Sequence, residues 1–400
     1  MVVGLLTPYF PDNLNVDSGI ANHNMTLAKG LAEKGVKVIV IHIRPDYGTK
    51  GIGIKRENLD ENITVVTCSV KLNNLIKYFF KNYWTILDFL FKVKSMIKTS
   101  LILERLIKEY QIELIEASSY LSLNYFSIYK SLSVPLVLRI STLYCQILSE
   151  HSPYRSRLLN RIGKMEIDLI NHHPYLLTHA DNHAKELTEN FGIKNLIRII
   201  PHGIRLPEIK NLDDNLKQDI KILYAGRMEY RKGTDILLRS IPLVLANFHH
   251  VSFEIIGSDP SNIYQKDFEL MNPGLVNKKV NFRGKVSQEE LDKAYTSCDV
   301  FVAPSRYESF GLVYIEAMSF GKPVIGAKVG GVTEIISDHE NGLFFDLENP
   351  QDLADKISFL VKNKNIRNTM GINARKKIEN CYTEKILSIR SIDYYKSLLK

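Results

Sequence analysis

Residues 299–327 restrict the fold of this chain more than any other stretch. The apolar run 299–303 (Asp-Val-Phe-Val-Ala) reads as a buried strand. A polar loop follows, Pro304, Ser305, Arg306, Tyr307, Glu308, Ser309. A helix is expected over 310–318, Gly321-Lys322-Pro323 turns the chain, and 323–327 (Pro-Val-Ile-Gly-Ala) is a second apolar strand. The order is strand, loop, helix, strand, with the loop at the carboxyl end of a buried strand. Open α/β sheets bind their ligands there.

Two carboxylates, Glu308 before the helix and Glu316 inside it, mark this unit. Amide groups at the helix start, around Phe310, Gly311 and Leu312, can hold an anion, and phosphate suits that position. An ionised carboxylate is purely an acceptor, so an acid one or two turns along can take ribose or sugar hydroxyls. Alone, the pair reads as an exposed loop charge and a partly solvated helix residue. The apolar neighbours of Glu316, Leu312 to Ile315 before it and Ala317-Met318 after it, argue otherwise, because an idle charge is costly to bury.

More of the stretch follows a pattern: Pro304-Ser305, Glu308-Ser309-Phe310-Gly311, Glu316-Ala317-Met318, Gly321-Lys322-Pro323-Val324, and Gly330-Gly331-Val332 with Glu334. Together these residues resemble the Glu-x7-Glu donor-binding signature of retaining GT-B glycosyltransferases, specifically glycosyltransferase family 4 (glycosyl transferases group 1). The resemblance is strongest over 219–345 and covers nearly the whole chain. It implies an α/β fold of two Rossmann-like, doubly wound parallel-sheet domains facing across a cleft. The expected division is 1–205 on the acceptor side, 206–382 for the nucleotide-sugar donor, and a last helix, 383–400, packing back on the first domain.

Length agrees with that division, since 400 residues exceed one comfortable hydrophobic core. The net charge of +8 favours anionic partners: nucleotide diphosphates, nucleic acid or an anionic membrane face. Cys68, Cys145, Cys298 and Cys381 are widely separated, which argues against a disulfide framework or zinc knuckle and fits a reducing, cytoplasmic compartment. The N-terminus enters a strand without a basic region, so no signal peptide is expected, and no apolar run reaches spanning length.

In the first half, strand 2–7, a polar loop over 8–19, a helix over 20–33 and strand 36–43 make a βαβ unit whose loop opens on the ligand side. A dinucleotide fingerprint would need Gly-x-Gly-x-x-Gly there, and only Gly19 is present, so the oxidoreductase reading fails. In the resembled family this loop, often with paired glycines, lies near the donor phosphates and acceptor; Ser18-Gly19 takes that place. Further strands are expected at 114–117, 134–140 and 176–178. The family often carries a histidine after the second of these, and Ser141 aligns with it. His151 and His23 read as surface histidines that could substitute, and His172-His173 as helix-end residues without the spacing of a metal site.

Residues 71–110 combine Lys71, Lys77, Lys81, Lys92, Lys94, Lys98, Arg105 and Lys108 with only Asp88, Glu104 and Glu109, interleaved with aromatics that include Trp84. That composition suits a pair of amphipathic helices packed on the domain, or a basic aromatic surface on an anionic membrane. The stretch Ile199 to Ile204 resembles the family's hinge, and 211–218 reads as an exposed connector.

The second half opens with strand 219–225, then Gly226-Arg227 and Lys232-Gly233, then a helix from Thr234. Gly226 lets the backbone turn, and the two cations can converge on one anion. A departing nucleotide diphosphate gains charge, which fixed cations stabilise most in the transition state. Arg offers a planar fork and Lys a compact charge. Arg231, between them, is expected to face solvent. The resemblance places Arg283, Lys285 and Val286 beside the nucleotide base, through backbone groups. It assigns Glu316 to the ribose, Arg227 and Lys232 to the diphosphate, and Glu308 with Ser309, Phe310, Gly311 and Leu312 to the sugar and phosphates.

The expected function is retaining transfer of a sugar from a nucleotide-diphospho-sugar to an acceptor hydroxyl in glycan, polysaccharide or glycolipid biosynthesis. No Asp-x-Asp occurs, so neither metal nor cofactor is expected; the two cations replace the metal, and nucleic acid is not a partner. Two alternatives stay open: a sugar-nucleotide epimerase or phosphorylase on this fold, and a non-catalytic donor-binding subunit.

Overall fold

A computed structural model describes residues 1–11, 18–45, 53–80, 82–129, 131–148, 156–208, 219–260 and 262–399. His151, the connector 211–218 and part of the loop 8–19 lie outside them. The chain divides into two compact units, Met1–Gly203 with Glu384–Lys400, and Ile204–Thr383.

The first unit holds eight strands: β1 (Val2–Thr7), β2 (Lys37–Pro45), β3 (Ile54–Asp60), β4 (Ile63–Val70), β5 (Leu114–Ser118), β6 (Leu136–Arg139), β7 (Leu176–Thr178) and β8 (Ile197–Ile199). They form one sheet in the order β3-β4-β2-β1-β5-β6-β7-β8. Every pairing described is parallel except β3 with β4. Strands covered on both faces read as continuous apolar runs, which is why β1 and β2 are plain in the sequence. The edge strand β3 is exposed along most of its length and carries Lys55, Arg56, Glu57 and Asp60, so it gives no apolar signal. An edge dressed with charge also resists pairing with another chain.

One face of this sheet packs under the helices Trp84–Tyr110 and Arg157–His172, around Leu103, Leu106, Ile115 and Leu169. The other packs under the helix Gly19–Ala32 and the final helix, Glu384–Leu398, which contributes Leu387 and Tyr395. Tyr395 carries a hydroxyl into this interior and donates it to Glu116 Oε2 at 2.6 Å, so the polar group is satisfied.

The second unit has β9 (Ile220–Ala225), β10 (Val251–Ile256), β11 (Val280–Gly284), β12 (Val300–Ala303), β13 (Val324–Ala327) and β14 (Gly342–Phe345), in the order β11-β10-β9-β12-β13-β14. All its described pairings are parallel. Chain order runs outward from β9 on one side and from β12 on the other. The strand order therefore reverses between these neighbours, and β9 lies against β12 with Ile222 opposite Val300. Loops leaving adjacent strands at such a reversal spread apart and leave room for a ligand. The loops after β9 and β12 carry the cation pair and the acid pair.

Candidate active site

The loop after β9 is pinned before it reaches its functional side chains. Gly226 N–H donates to Ile256 O at 2.9 Å and Met228 N–H to Ser258 O at 2.8 Å. The buried Tyr224 hydroxyl donates to Arg227 O at 3.0 Å. A single turn, Tyr230–Lys232, then leads into Gly233 and the helix Thr234–Leu245. Gly233 has φ +66, and a Cβ there would lie 1.8 Å from the Pro304 carbonyl oxygen. Only glycine accepts both the left-handed backbone and that approach. The approach brings Lys232 to the loop after β12.

There, Lys232 Nζ donates to Glu308 Oε1 at 2.5 Å, and Ser305 Oγ donates to the same oxygen at 3.0 Å. Arg306 ties the two loops from the other side. Its guanidinium donates to Asp235 Oδ1 and Oδ2 at 2.6 and 2.9 Å and to Tyr230 O at 2.6 Å, lies 3.6 Å from the centre of the Tyr230 ring, and pairs with Glu348. Its backbone N–H donates to Arg231 O at 2.9 Å. The sequence reading missed Arg306 because these partners are far apart in the chain. Its only local signal is its place inside Pro-Ser-x-x-Glu.

The paired glycines after β13 complete the cradle. Gly331 N–H donates to Glu308 O at 3.1 Å. Gly330 has φ +43, and a Cβ on it would sit 2.0 Å from that same carbonyl oxygen. Their place in the motif is thus to let one backbone lie on another. Glu316 sits in the second turn of the helix Leu312–Ser319, whose N-cap is Gly311. The Tyr295 hydroxyl donates to Glu316 Oε2 at 3.0 Å.

The two acids have different electrostatic surroundings. Burial pushes the Glu308 carboxyl up, but the charges of Lys232 and Arg231 outweigh it and hold the group below its ordinary value. Burial lowers Lys232 in turn, with Glu308 opposing. Glu316 has no cation bonded to it, and burial pushes its carboxyl up to about 7 against the Tyr295 hydrogen bond. Burial without a bonded cation disfavours the ionised form, so this carboxylate costs stability at neutral pH.

The other predicted residues fall as follows. Arg227 is half exposed and 3.8 Å from Glu229. Arg231 does not face solvent as expected: it is partly buried and bonded to Glu229 at 2.6 Å. The Arg283 guanidinium is engaged by Glu254 and Glu290 at 2.9 and 2.8 Å, which leaves backbone groups for a base. Lys285 is exposed and Val286 partly so, just past the end of β11, next to the ends of β10 and β9. The Phe310 side chain is buried against Tyr382, so only its backbone can serve a ligand, while Ser309 and Leu312 are partly exposed.

Gly19 and Ser141 belong to the first unit. Gly19 starts its helix and is exposed; Ser141 follows β6, with its Oγ buried and unpartnered. His23 is not a surface residue. It is buried, its Nδ1 is 2.8 Å from His202 Nδ1 with the two rings edge-on, and His202, His179 and His183 stack in turn. Burial, with Arg139 adding to it, lowers His23 to about 4, so it is neutral at pH 7.

Two α/β units of mainly parallel sheet, the second with a cation-bearing loop and an acid-bearing helix at its strand-order reversal, belong to the GT-B class of folds. Family models match both halves: Glycosyltransferase Family 4 over 18–207 and Glycosyl transferases group 1 over 208–377. The chain belongs to this glycosyltransferase family.

Among relatives, an uncharacterized glycosyltransferase of Methanocaldococcus jannaschii is 35% identical over 44% of each chain. A D-inositol 3-phosphate glycosyltransferase of Nocardioides is 29% identical over 50% of this chain and 48% of that one. The chain thus spans about half the length of the curated relatives it matches. Sucrose-phosphate synthase from Thermosynechococcus elongatus has the same fold, with TM-score 0.77 and 18% identity over 99% of this chain and 98% of that one. So does Anabaena HepE in complex with UDP-glucose, with TM-score 0.68 and 17% identity over all of both chains.

Proposed function

We propose that the protein is a retaining glycosyltransferase that moves a sugar from a nucleotide-diphospho-sugar to a hydroxyl of a glycan or glycolipid. The observation that carries this reading is the meeting of Lys232 and Glu308 across the β9–β12 reversal, with Glu316 in the second turn of the helix that follows. Lys232 and Arg227 take the diphosphate, Glu316 takes the ribose hydroxyls, and Glu308 with the amides of 310–312 takes the sugar. Names of relatives that use or bind sugar donors support it.

In the reaction the bond from the anomeric carbon to the phosphate oxygen breaks, and a bond to the acceptor oxygen forms on the same face. The acceptor proton passes to the departing phosphate. Lys232 and Arg227 neutralise the charge that grows there, so the scheme needs neither a protein base nor a divalent metal. Ser141, in place of a histidine, is compatible with that.

The test is incubation with a panel of nucleotide-sugars and acceptors in EDTA, following nucleotide release and the anomeric configuration of the product. Retained configuration with released nucleoside diphosphate is expected. An epimerised donor, a phosphate requirement, or tight donor binding with no release would overturn it.

A further inference from the structure

Most of the long helix Trp84–Tyr110 covers the first sheet, but its outer stripe covers nothing described. Positions 94, 97, 101, 105 and 108, spaced by three or four residues, are exposed and carry Lys94, Ile97, Leu101, Arg105 and Lys108. Leu101 is 74% exposed. The preceding short helix, Asn74–Phe79, packs through one side of its described residues. Ile76 and Phe80 lie against Leu72, Leu87 and Phe91. On its other side Leu75 and Phe79 are 65% and 70% exposed, and Tyr83 and Trp84, next in the chain, are exposed as well. Lys94 donates to the Lys71 carbonyl, which fastens the start of this segment to the long helix.

We propose that this surface docks on an anionic lipid bilayer. Six large apolar side chains stand out of one helical segment, and scattered apolar exposure on a monomer is usually single. The choice between lipid and protein rests on charge. From 71 to 101 the sequence has Lys71, Lys77, Lys81, Lys92, Lys94 and Lys98 against one acid, Asp88, and Asp88 is engaged by Lys92. Further along, Glu104 accepts from Ser133 at 2.9 and 3.0 Å, and Glu109 from Arg56 at 2.8 Å. The acids are held by neighbours while the outer stripe presents cations.

Lysine and arginine stems lie along apolar surface with their charges at headgroup level, where tyrosine and tryptophan rings also settle. No helix among the described residues is long and apolar enough to cross a membrane, so the contact is peripheral. The docking stands on this surface alone; its purpose, presenting a lipid-linked acceptor, rests on the transferase reading.

Trp84 is the chain's only tryptophan, so its fluorescence reports this surface directly. The whole protein is titrated with phosphatidylcholine vesicles with and without phosphatidylglycerol, reading emission and co-sedimentation. A blue shift and sedimentation with the anionic vesicles alone are expected, both suppressed by salt. Phe79→Ser with Leu101→Ser, and separately Lys98→Glu with Arg105→Glu, should each lower partitioning by roughly tenfold or more. All four residues lie at the surface or partly so, and an unchanged melting temperature confirms folding.

Vesicle binding that both variants retain in full, or no binding at all, overturns the proposal. So does a concentration-dependent blue shift without vesicles, which would assign the face to a second protein surface. Vesicles are tested without donor and nucleotide release without vesicles, so failure of one reading is separate from failure of the other.

Discussion

Glu316→Gln should make the protein more stable and a worse enzyme. The Glu316 carboxyl is pushed by burial from 4.5 to about 7. A carboxyl raised on folding binds more protons in the folded than in the unfolded state between those values. Its contribution is therefore intact below about pH 4.5 and is lost as pH rises to about 7. The 2.5-unit shift corresponds to about 3 kcal/mol, an upper limit because water reaches part of the residue. Glutamine carries no charge to desolvate, so urea unfolding at about pH 8 should show a gain of up to about 3 kcal/mol that fades toward about pH 5.

Donor affinity should move the opposite way. Ribose hydroxyls donate to the ionised form, so wild-type affinity should fall about tenfold per pH unit below about 7. Calorimetry with an intact nucleotide-sugar isolates this, because its pyrophosphate does not titrate there, and the variant should bind weakly with a flat profile. Equal destabilisation at both pH values, or unchanged donor affinity, would refute the assignment.

Replacing Arg227 or Lys232 by alanine should each remove about 2–4 kcal/mol of transition-state stabilisation, read as kcat/KM. They should differ in stability: Arg227 is half exposed and its loss neutral, whereas losing Lys232 leaves Glu308 buried without its cation. Arg306→Ala should raise the donor KM about tenfold, more than it lowers kcat, and Arg306→Lys should restore little, since lysine lacks the fork that spans Asp235 and Glu348; a normal KM in both would make Arg306 incidental. The first unit should unfold in acid. Burial lowers both His23 and His183 to about 4, so the stability each contributes is present above 6.5 and lost as pH falls to about 4. Each is worth about 3 kcal/mol. Thr178 Oγ accepts from His183 Nδ1 at 2.6 Å while donating to Ile140 O, which leaves His183 Nε2 without an acceptor once protonated. Stability that stays level from about pH 7 to 4.5 would contradict this.

The apolar strands were legible wherever both faces of the sheet are covered, as in β1, β2 and β12, and the glycine-rich loops marked their carboxyl ends. The acid-bearing helix was legible too, though it starts at Leu312 rather than 310, because Gly311 holds a left-handed backbone at the cap. The edge pair β3–β4 was not, since its outer strand is built of charged residues and gives no apolar run, even though the two strands form a local hairpin. Nor was the burial of His23. A histidine in the second turn of an amphipathic helix looks exposed until β7 and β8 bring His179, His183 and His202 against it. Arg231 misled for a local reason: its partner Glu229 lies two residues away, a spacing that shares a face in a strand but not in a helix, and here a tight turn brings them together.

The central claim is that one pair of cations and one pair of acids hold the same nucleotide diphosphate. A crystal structure with a donor identified from the panel tests it most directly. The diphosphate should lie within hydrogen-bond reach of Lys232 and Arg227, with the ribose on Glu316 and the sugar beside Glu308. A donor lodged elsewhere on the second unit, or bound there with Glu316 turned away from its ribose, would contradict the claim.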